Sequence, residues 1–183
     1  MGEMLPGKPS MVPQNMPGAG SLKAANYIYS AAPRDGTALG AINRGVPMEP
    51  LLGSKAAQFD PLKLNWIGSL NKEVNVTIAW HTSGVKTFND LYTKELIVGG
   101  TGSGADSVVY PLLLNNLLGT KLKIIAGYPG GEDINIAMER GEVTGRPSPS
   151  WSSLTASKAE WIRDRKIIPL VQLSLSKHPD LPN

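Results

Sequence analysis

Apolar positions recur at helical spacing through Leu22–Ala32, where Leu22, Ala25, Ile28 and Tyr29 share a face. Ser21 ahead of them is a candidate N-cap, and Pro33-Arg34-Asp35-Gly36 behind them is a stop. Residues 1–19, rich in proline and glycine, predict coil. Thr37–Asn43 is short, apolar and flanked by glycine, which predicts a buried strand. Val46–Leu52 predicts a short helix, followed by a loop through Asp60-Pro61. Leu64–Ser69 and Val74–Trp80 predict strands. In the second, Val74, Val76, Ile78 and Trp80 alternate with Asn75, Thr77 and Ala79, the period of a half-buried strand. Thr87–Thr93 predicts a short amphipathic helix with Thr87 as its N-cap.

The pattern then becomes regular. Leu96–Val98 predicts a strand, Gly99–Gly104 (GGTGSG) a turn, and Ala105–Leu118 a helix with Val108, Val109, Leu112, Leu113 and Leu117 on one side. Gly119 ends that helix, and Pro111 should kink it or delay its start. Lys121–Ala126 is the next strand, Tyr128–Gly131 a turn, and Glu132–Arg140 a helix closed by Gly141. Glu142–Gly145 is a short strand. Residues 147–165 are mixed, and Ile167–Leu175 is a last apolar strand. Strands alternating with helices over 95–145 predict an α/β domain with a partly parallel sheet.

The two glycine turns hold the candidate chemistry. Each lies between a strand and a helix, where free backbone N–H groups and the helix dipole suit an anion. Thr101, Ser103 and Ser107 add hydroxyls, so the first turn reads either as a carboxylate or phosphate cradle or as a tight turn that needs glycine for its backbone angles. The second, YPGGED (Tyr128–Asp133), reads either as its companion or as an ordinary turn. In an open α/β sheet both would emerge at the same strand ends, where ligands bind. The P-loop and dinucleotide fingerprints are absent: Gly102–Ser107 gives G-x-G-x-x-S. Ser103 lacks the flanking glycines of a nucleophile elbow. His81 could act as a base or pack structurally beside Trp80. Arg146 could pair with a carboxylate or lie on the surface. Trp80 and Trp151 could wall a cleft or pack in a core.

Composition narrows the classes. The 183 residues are 41% hydrophobic and 18% charged, with 20 glycines, 15 prolines and no cysteine. Disulfides, cysteine metal sites and a thiol nucleophile are excluded. Two histidines make a multi-histidine metal centre a poor expectation. A net charge of +3 without a dense basic run argues against nucleic acid as a partner. No apolar run reaches the ~18–20 residues of a membrane span, so direct membrane insertion is not expected.

Five phrases taken in order add a resemblance: Asn15–Gly20 (NMPGAG), Ala32–Thr37 (APRDGT), Gly99–Ala105 (GGTGSGA), Gly127–Asp133 (GYPGGED) and Glu139–Val143 (ERGEV). Together they resemble the substrate-binding proteins of tripartite tricarboxylate transporters, the Bug family of periplasmic receptors. The resemblance runs from about Pro9 to Asn183. It implies an α/β, type II periplasmic-binding-protein-like fold with one nearly complete lobe plus part of the second lobe. Residues 1–77 would be a partial lobe, 78–168 the lobe with the ligand loops, and 169–183 a return strand and tail. It also implies a first strand and a further ligand loop ahead of NMPGAG and a region after the PDLP phrase. The expectation is therefore a chain truncated at both ends, with its signal peptide outside it.

By the same resemblance the chain captures a small carboxylate in the periplasm for membrane transporter subunits, with no cofactor, no metal and no covalent chemistry. Thr101, Gly102, Ser103, Gly104, Ala105, Asp106 and Ser107 would form one anion cradle. Tyr128, Pro129, Gly130, Gly131 and Asp133 would form the facing loop, and Arg146 would take a second carboxylate. Valine at Gly102 or Gly130 is expected to abolish binding and leave the fold largely intact. The competing class is an enzyme acting on a phosphorylated or acyl substrate through Ser103 or His81. A third is a sensor or interaction module that uses the same cleft.

Overall fold

The computed structural model describes residues 2–69 and 72–181. Parts of the predicted segments 1–77 and 169–183 (Met1, Leu70, Asn71, Pro182 and Asn183) lie outside the described residues. The core is a five-stranded mixed sheet of spatial order β3-β2-β4-β1-β5. Its strands are β1 (Asn75–Trp80), β2 (Leu96–Gly100), β3 (Leu122–Ala126), β4 (Gly145–Arg146) and β5 (Ile167–Leu173). β2 runs parallel to β3 and β4, and β1 runs antiparallel to β4 and β5. The helices are α1 (Leu22–Ser30), α2 (Asp106–Leu118), α3 (Gly131–Glu139), α4 (Trp151–Ser157) and α5 (Ala159–Arg163).

Both faces of the sheet are covered. Val76, Ile78 and Trp80 pack with Ile134, Met138, Trp151, Leu154 and Trp161 from α3, α4 and α5. Ala79, Leu96 and Val98 pack on the other face with Val85, Leu91, Leu114 and Leu122. All six residues of β1 are therefore buried, where sequence alternation predicts a half-buried strand. Val76, Ile78 and Trp80 take one apolar layer and Ala79 the other, while Thr77 satisfies its hydroxyl on the Pro147 carbonyl at 2.8 Å. Trp80 and Trp151 are core residues: Trp80 meets Trp161 edge-on at 4.9 Å, and Trp151 is 6% exposed.

Local signals are realised with adjustments. Thr87 caps as expected and forms a reciprocal capping box with Asp90, but the turn it opens (Phe88–Tyr92) is 3-10. Hydrogen bonds from Lys94 and from the Lys86 and Thr87 amides hold the Asp90 carboxyl well below the usual carboxylate range. Ser21 sits at the α1 N-cap position but gives no side-chain bond, because its backbone is left-handed at φ 80°. β2 runs on through Gly99 and Gly100, which the sequence places in the turn. The missing side chains let Ile134 and Val108 pack close. Gly119 ends α2 in the left-handed region at φ 72°, as its type predicts.

Two predicted strands and one helix face are not found. Residues 37–43 and 64–69 form no ladder, because no described strand lies beside either of them. Leu39, Trp66 and Ile67 in these segments are exposed. Val46–Leu52 contains only the 3-10 turn Val46–Met48. Leu22, Ala25, Val46 and Phe59 make a small separate core under α1. On α2 the inward residues are Ser107, Val108, Pro111 and Leu114, while Leu112, Leu113 and Leu117 face outward. Pro111 lies within the helix and does not delay its start. The segment 147–165 resolves into α4 and α5.

Candidate functional site

The strand register brings the candidate loops to one end of the sheet. Gly100 pairs with Ala126, Val98 with Gly145, and Asn75 with Leu173. The carboxyl ends of β2, β3, β4 and β5 and the amino end of β1 therefore coincide. From that edge rise Thr101–Ser107, Gly127–Asp133 and the turn after Arg146. Ligands of open α/β sheets occupy this position.

The first turn is tightly engaged. Ser107 Oγ accepts from the Thr101 amide at 3.0 Å and lies 3.2 Å from Thr101 Oγ1. The Ala105 amide donates to the Gly102 carbonyl at 3.0 Å, and Ala105 is 1% exposed. A Cβ on Gly102 would overlap the backbone of Ala19 and Gly20, and one on Gly104 would overlap the Glu49 carboxylate. These glycines admit the early part of the chain. Valine at Gly102 would therefore disturb packing and not binding alone, which corrects the sequence expectation. Ser103 is exposed.

Asp106 opens α2 and is 8% exposed. Its carboxylate accepts from the Asn43 side chain at 3.2 Å and the Asn75 side chain at 3.3 Å, and it pairs with Arg44 at 3.5 Å. The Asn75 amide oxygen is buried and has no partner among the described residues.

The second turn is more open. Gly130 is extended at φ −158°, and a Cβ there would meet only Asp133 Oδ2 at 3.4 Å. Asp133 and Pro129 are exposed, and Asp133 makes no cap bond. Gly131 lies over the Arg146 guanidinium, which a Cβ would overlap. Arg146 Nη1 donates to Asn135 Oδ1 at 2.8 Å, Asn135 donates to Glu132 at 2.8 Å, and Lys158 closes the chain on Glu132 at 2.7 Å. No described carboxylate lies within 4.0 Å of Arg146. Its pKa is pushed down to about 10 by burial, offset by the fields of Glu132 and Asp106. Glu132 stands in the first turn of α3, whose N-terminal Gly131 lies against the Arg146 guanidinium. Lys158, then Asn135, holds the Glu132 carboxyl below its ordinary value. Burial, then Glu142, raises the Tyr128 phenol, and the Tyr128 ring packs against the α3–α5 core.

His81 follows the opposite end of β1. Its amide donates to the Lys166 carbonyl at 2.9 Å, and its ring packs beside Trp80 at 5.3 Å. Ser103 and His81 therefore lie at opposite ends of the sheet and cannot act on one substrate. Sequence reading overlooked Asn43, Arg44, Glu49, Asn75 and Asn135. The one available signal was Asn75, an amide set between two valines in an apolar strand.

No protein-family model matches the chain, and no curated protein matches it by sequence. Solved structures do. A periplasmic transporter protein superposes with a TM-score of 0.74 at 17% identity, over 92% of this chain and 57% of its own. The periplasmic binding protein BugD gives 0.73 at 20% identity, again over 92% and 57%. A TctC solute-binding protein from Polaromonas gives 0.53 at 15%, over 72% and 44%. The likeness establishes the fold: α/β and type II periplasmic-binding-protein-like, with one nearly complete lobe plus part of the second. The chain spans about 57% of the length of the first two proteins. Among the described residues, no helix is long and apolar enough to cross a membrane.

Proposed function

We propose that this chain, which has the fold of the Bug- and TctC-type periplasmic binding proteins, is a periplasmic solute receptor. It captures a small carboxylate and presents it to a membrane transporter of the tripartite tricarboxylate type. It binds and does no covalent chemistry. One observation carries the reading: at a single sheet edge the α3 N-terminus, opened by Gly130 and Gly131, meets a half-buried arginine that pairs with no described carboxylate. The Gly131, Glu132 and Asp133 amides at that terminus are the donors an α-helix leaves unpaired. A carboxylate there would gain charge-assisted hydrogen bonds from the Arg146 fork and the favourable end of the helix dipole. The α2 turn from Thr101 to Ser107 forms the other wall, with Tyr128 and Pro129 at the rim.

Thermal melting against mono-, di- and tricarboxylates, with phosphate and nucleotide controls, tests the reading. A ligand at about 100 times its Kd stabilises by about 2.7 kcal/mol. A shift with one carboxylate class is the expected result. A shift with phosphate or nucleotide alone would overturn the proposal in favour of a phosphoryl-binding protein.

A further inference from the structure

Helix α2 is apolar on both of its faces. Val108, Pro111 and Leu114 are buried on the inner face, where Leu114 packs with Leu96 and Val98 of the sheet. On the outer face Leu112, Leu113, Leu117 and Leu118 remain between 45% and 72% exposed. Residues 107–120 contain no charged side chain. A helix that is apolar all round is ordinarily buried all round, and a contiguous exposed apolar patch marks an interaction surface. The patch continues off the helix. Met48 and Leu52, both more than half exposed, line a groove of about 310 Å³ together with Val109 and Tyr110 of α2. Leu112 and Leu113 lie one helical turn beyond Val109 and Tyr110, and Leu117 a turn further, so groove and leucine ridge form one surface.

We propose that this surface docks on the same surface of a second copy of the chain, with the two α2 helices antiparallel about a two-fold axis. A two-fold contact needs a face that is complementary to itself. This one carries a ridge and, beside it, a groove to receive that ridge. An axis at Leu113 brings the two Leu113 side chains together. It also sets Leu117 of each copy opposite Val109 of the other, at the groove, because both residues lie four positions from the axis. Charge points the same way. Self-contact brings no like charges together along residues 107–120, and the ion pair beside the groove, Arg44 with Asp106 at 3.5 Å, is closed within each copy. A foreign partner selected by charge complementarity would find none to read along the helix. The four leucines with Met48 and Leu52 expose roughly 600 Å² per copy, which reaches the lower bound of about 1,200 Å² in total for a specific interface. The half-buried Val109 and Tyr110 add to that area. The dimer does not depend on what the cleft binds.

Analytical ultracentrifugation over a concentration series tests it. The unaltered protein should sediment as a monomer–dimer equilibrium with a Kd of about 10 µM or lower. Leu117→Glu should weaken dimerisation at least about tenfold without lowering the melting temperature, since Leu117 is already exposed in the monomer. Leu175→Glu is the control: Leu175 is fully exposed beyond β5, at the opposite edge of the sheet from β3, and its replacement should leave the dimer intact. The chain has no cysteine, so Leu113→Cys places a single thiol at the axis. A short bis-maleimide should then link most of that variant into dimers and leave Leu175→Cys monomeric. A monomer at every concentration up to about 100 µM would overturn the proposal and leave the face to a different protein. A dimer unaffected by Leu117→Glu, or one lost equally in Leu175→Glu, would overturn it too, because the contact would then lie elsewhere or be unspecific. If Leu117→Glu folds poorly, the cross-linking of Leu113→Cys still decides.

Discussion

The two glycine turns share a plan, strand then glycines then helix, and use it differently. In the first, Gly102 and Gly104 are occupied from within, by the Ala19–Gly20 backbone and by Glu49. In the second, Gly130 faces open space apart from Asp133, and Gly131 lets a guanidinium lie against the helix N-terminus. A missing Cβ removes an obstacle to close approach, but it does not say what will approach. In one turn it is a distant part of the same chain. In the other it is an arginine that pairs with no described carboxylate. The first turn therefore holds residues 19–49 against the sheet, and the second is the better candidate for gripping a ligand.

The sharpest way to break this contrast is to fill each turn. Gly104→Val places a branched side chain where Glu49 lies, and overpacking of this kind costs about 1–3 kcal/mol or more. Urea denaturation should show that loss, and limited proteolysis should cut faster within residues 1–69. Gly130→Ala, at an extended N-cap with room for a Cβ, should cost less than about 1 kcal/mol. Similar losses from the two substitutions would mean that both turns are packing devices.

The second contrast concerns charge. Arg146→Ala should weaken carboxylate binding on the order of ten- to a hundredfold, the range for a charge-assisted hydrogen bond. Arg146→Lys should recover only part of that, because an ammonium lacks the planar fork. Calorimetry on the ligand found in the melting panel would settle it. Unaltered affinity in Arg146→Ala would take the second turn out of the site.

Much of the α/β half was legible because its signals are local. The Thr87–Asp90 capping box, the Gly119 stop and the β2-α2-β3-α3 succession each depend on residues a few positions apart. What failed depends on distant partners. Residues 37–43 and 64–69 have strand-like composition, but a strand needs a neighbour for its ladder, and none is present among the described residues. The phase of α2 was misread because its leucines surround the helix and leave no polar stripe to orient it. Asn115 fixes the phase, donating to the Leu122 carbonyl at 2.8 Å and accepting from the Leu122 amide at 3.0 Å. The site divides in the same way. Glycines and Arg146 stood out beside strand ends, whereas Glu49, Asn43 and Arg44 reach the site only through tertiary packing.

The smallest effect expected comes from the relay behind Arg146. Glu132 accepts from Asn135, and Asn135 accepts from Arg146, so Glu132 helps to orient the guanidinium without touching it. Its ion pair with Lys158 is solvated on the Glu132 side, which is 61% exposed against 16% for Lys158, so the pair is worth about 1 kcal/mol. Glu132→Gln removes the charge and can still accept from Asn135. Carboxylate affinity should then fall less than about threefold, with a comparably small loss of stability. The pH dependence identifies the source. The Glu132 pKa is lowered in the folded state, so its contribution is present above its ordinary value of 4.5 and disappears as pH falls through the lower folded value. The Lys158 pKa is raised, so its contribution is present below 10.5 and disappears as pH rises through the higher folded value. The stability difference between the unaltered protein and Glu132→Gln should therefore be flat across neutral pH, vanish at both extremes and shrink with added salt. A difference that persists in acid would mean that Glu132 acts through packing and not through charge, and Arg146 would then be oriented by Asn135 and Gly131 alone.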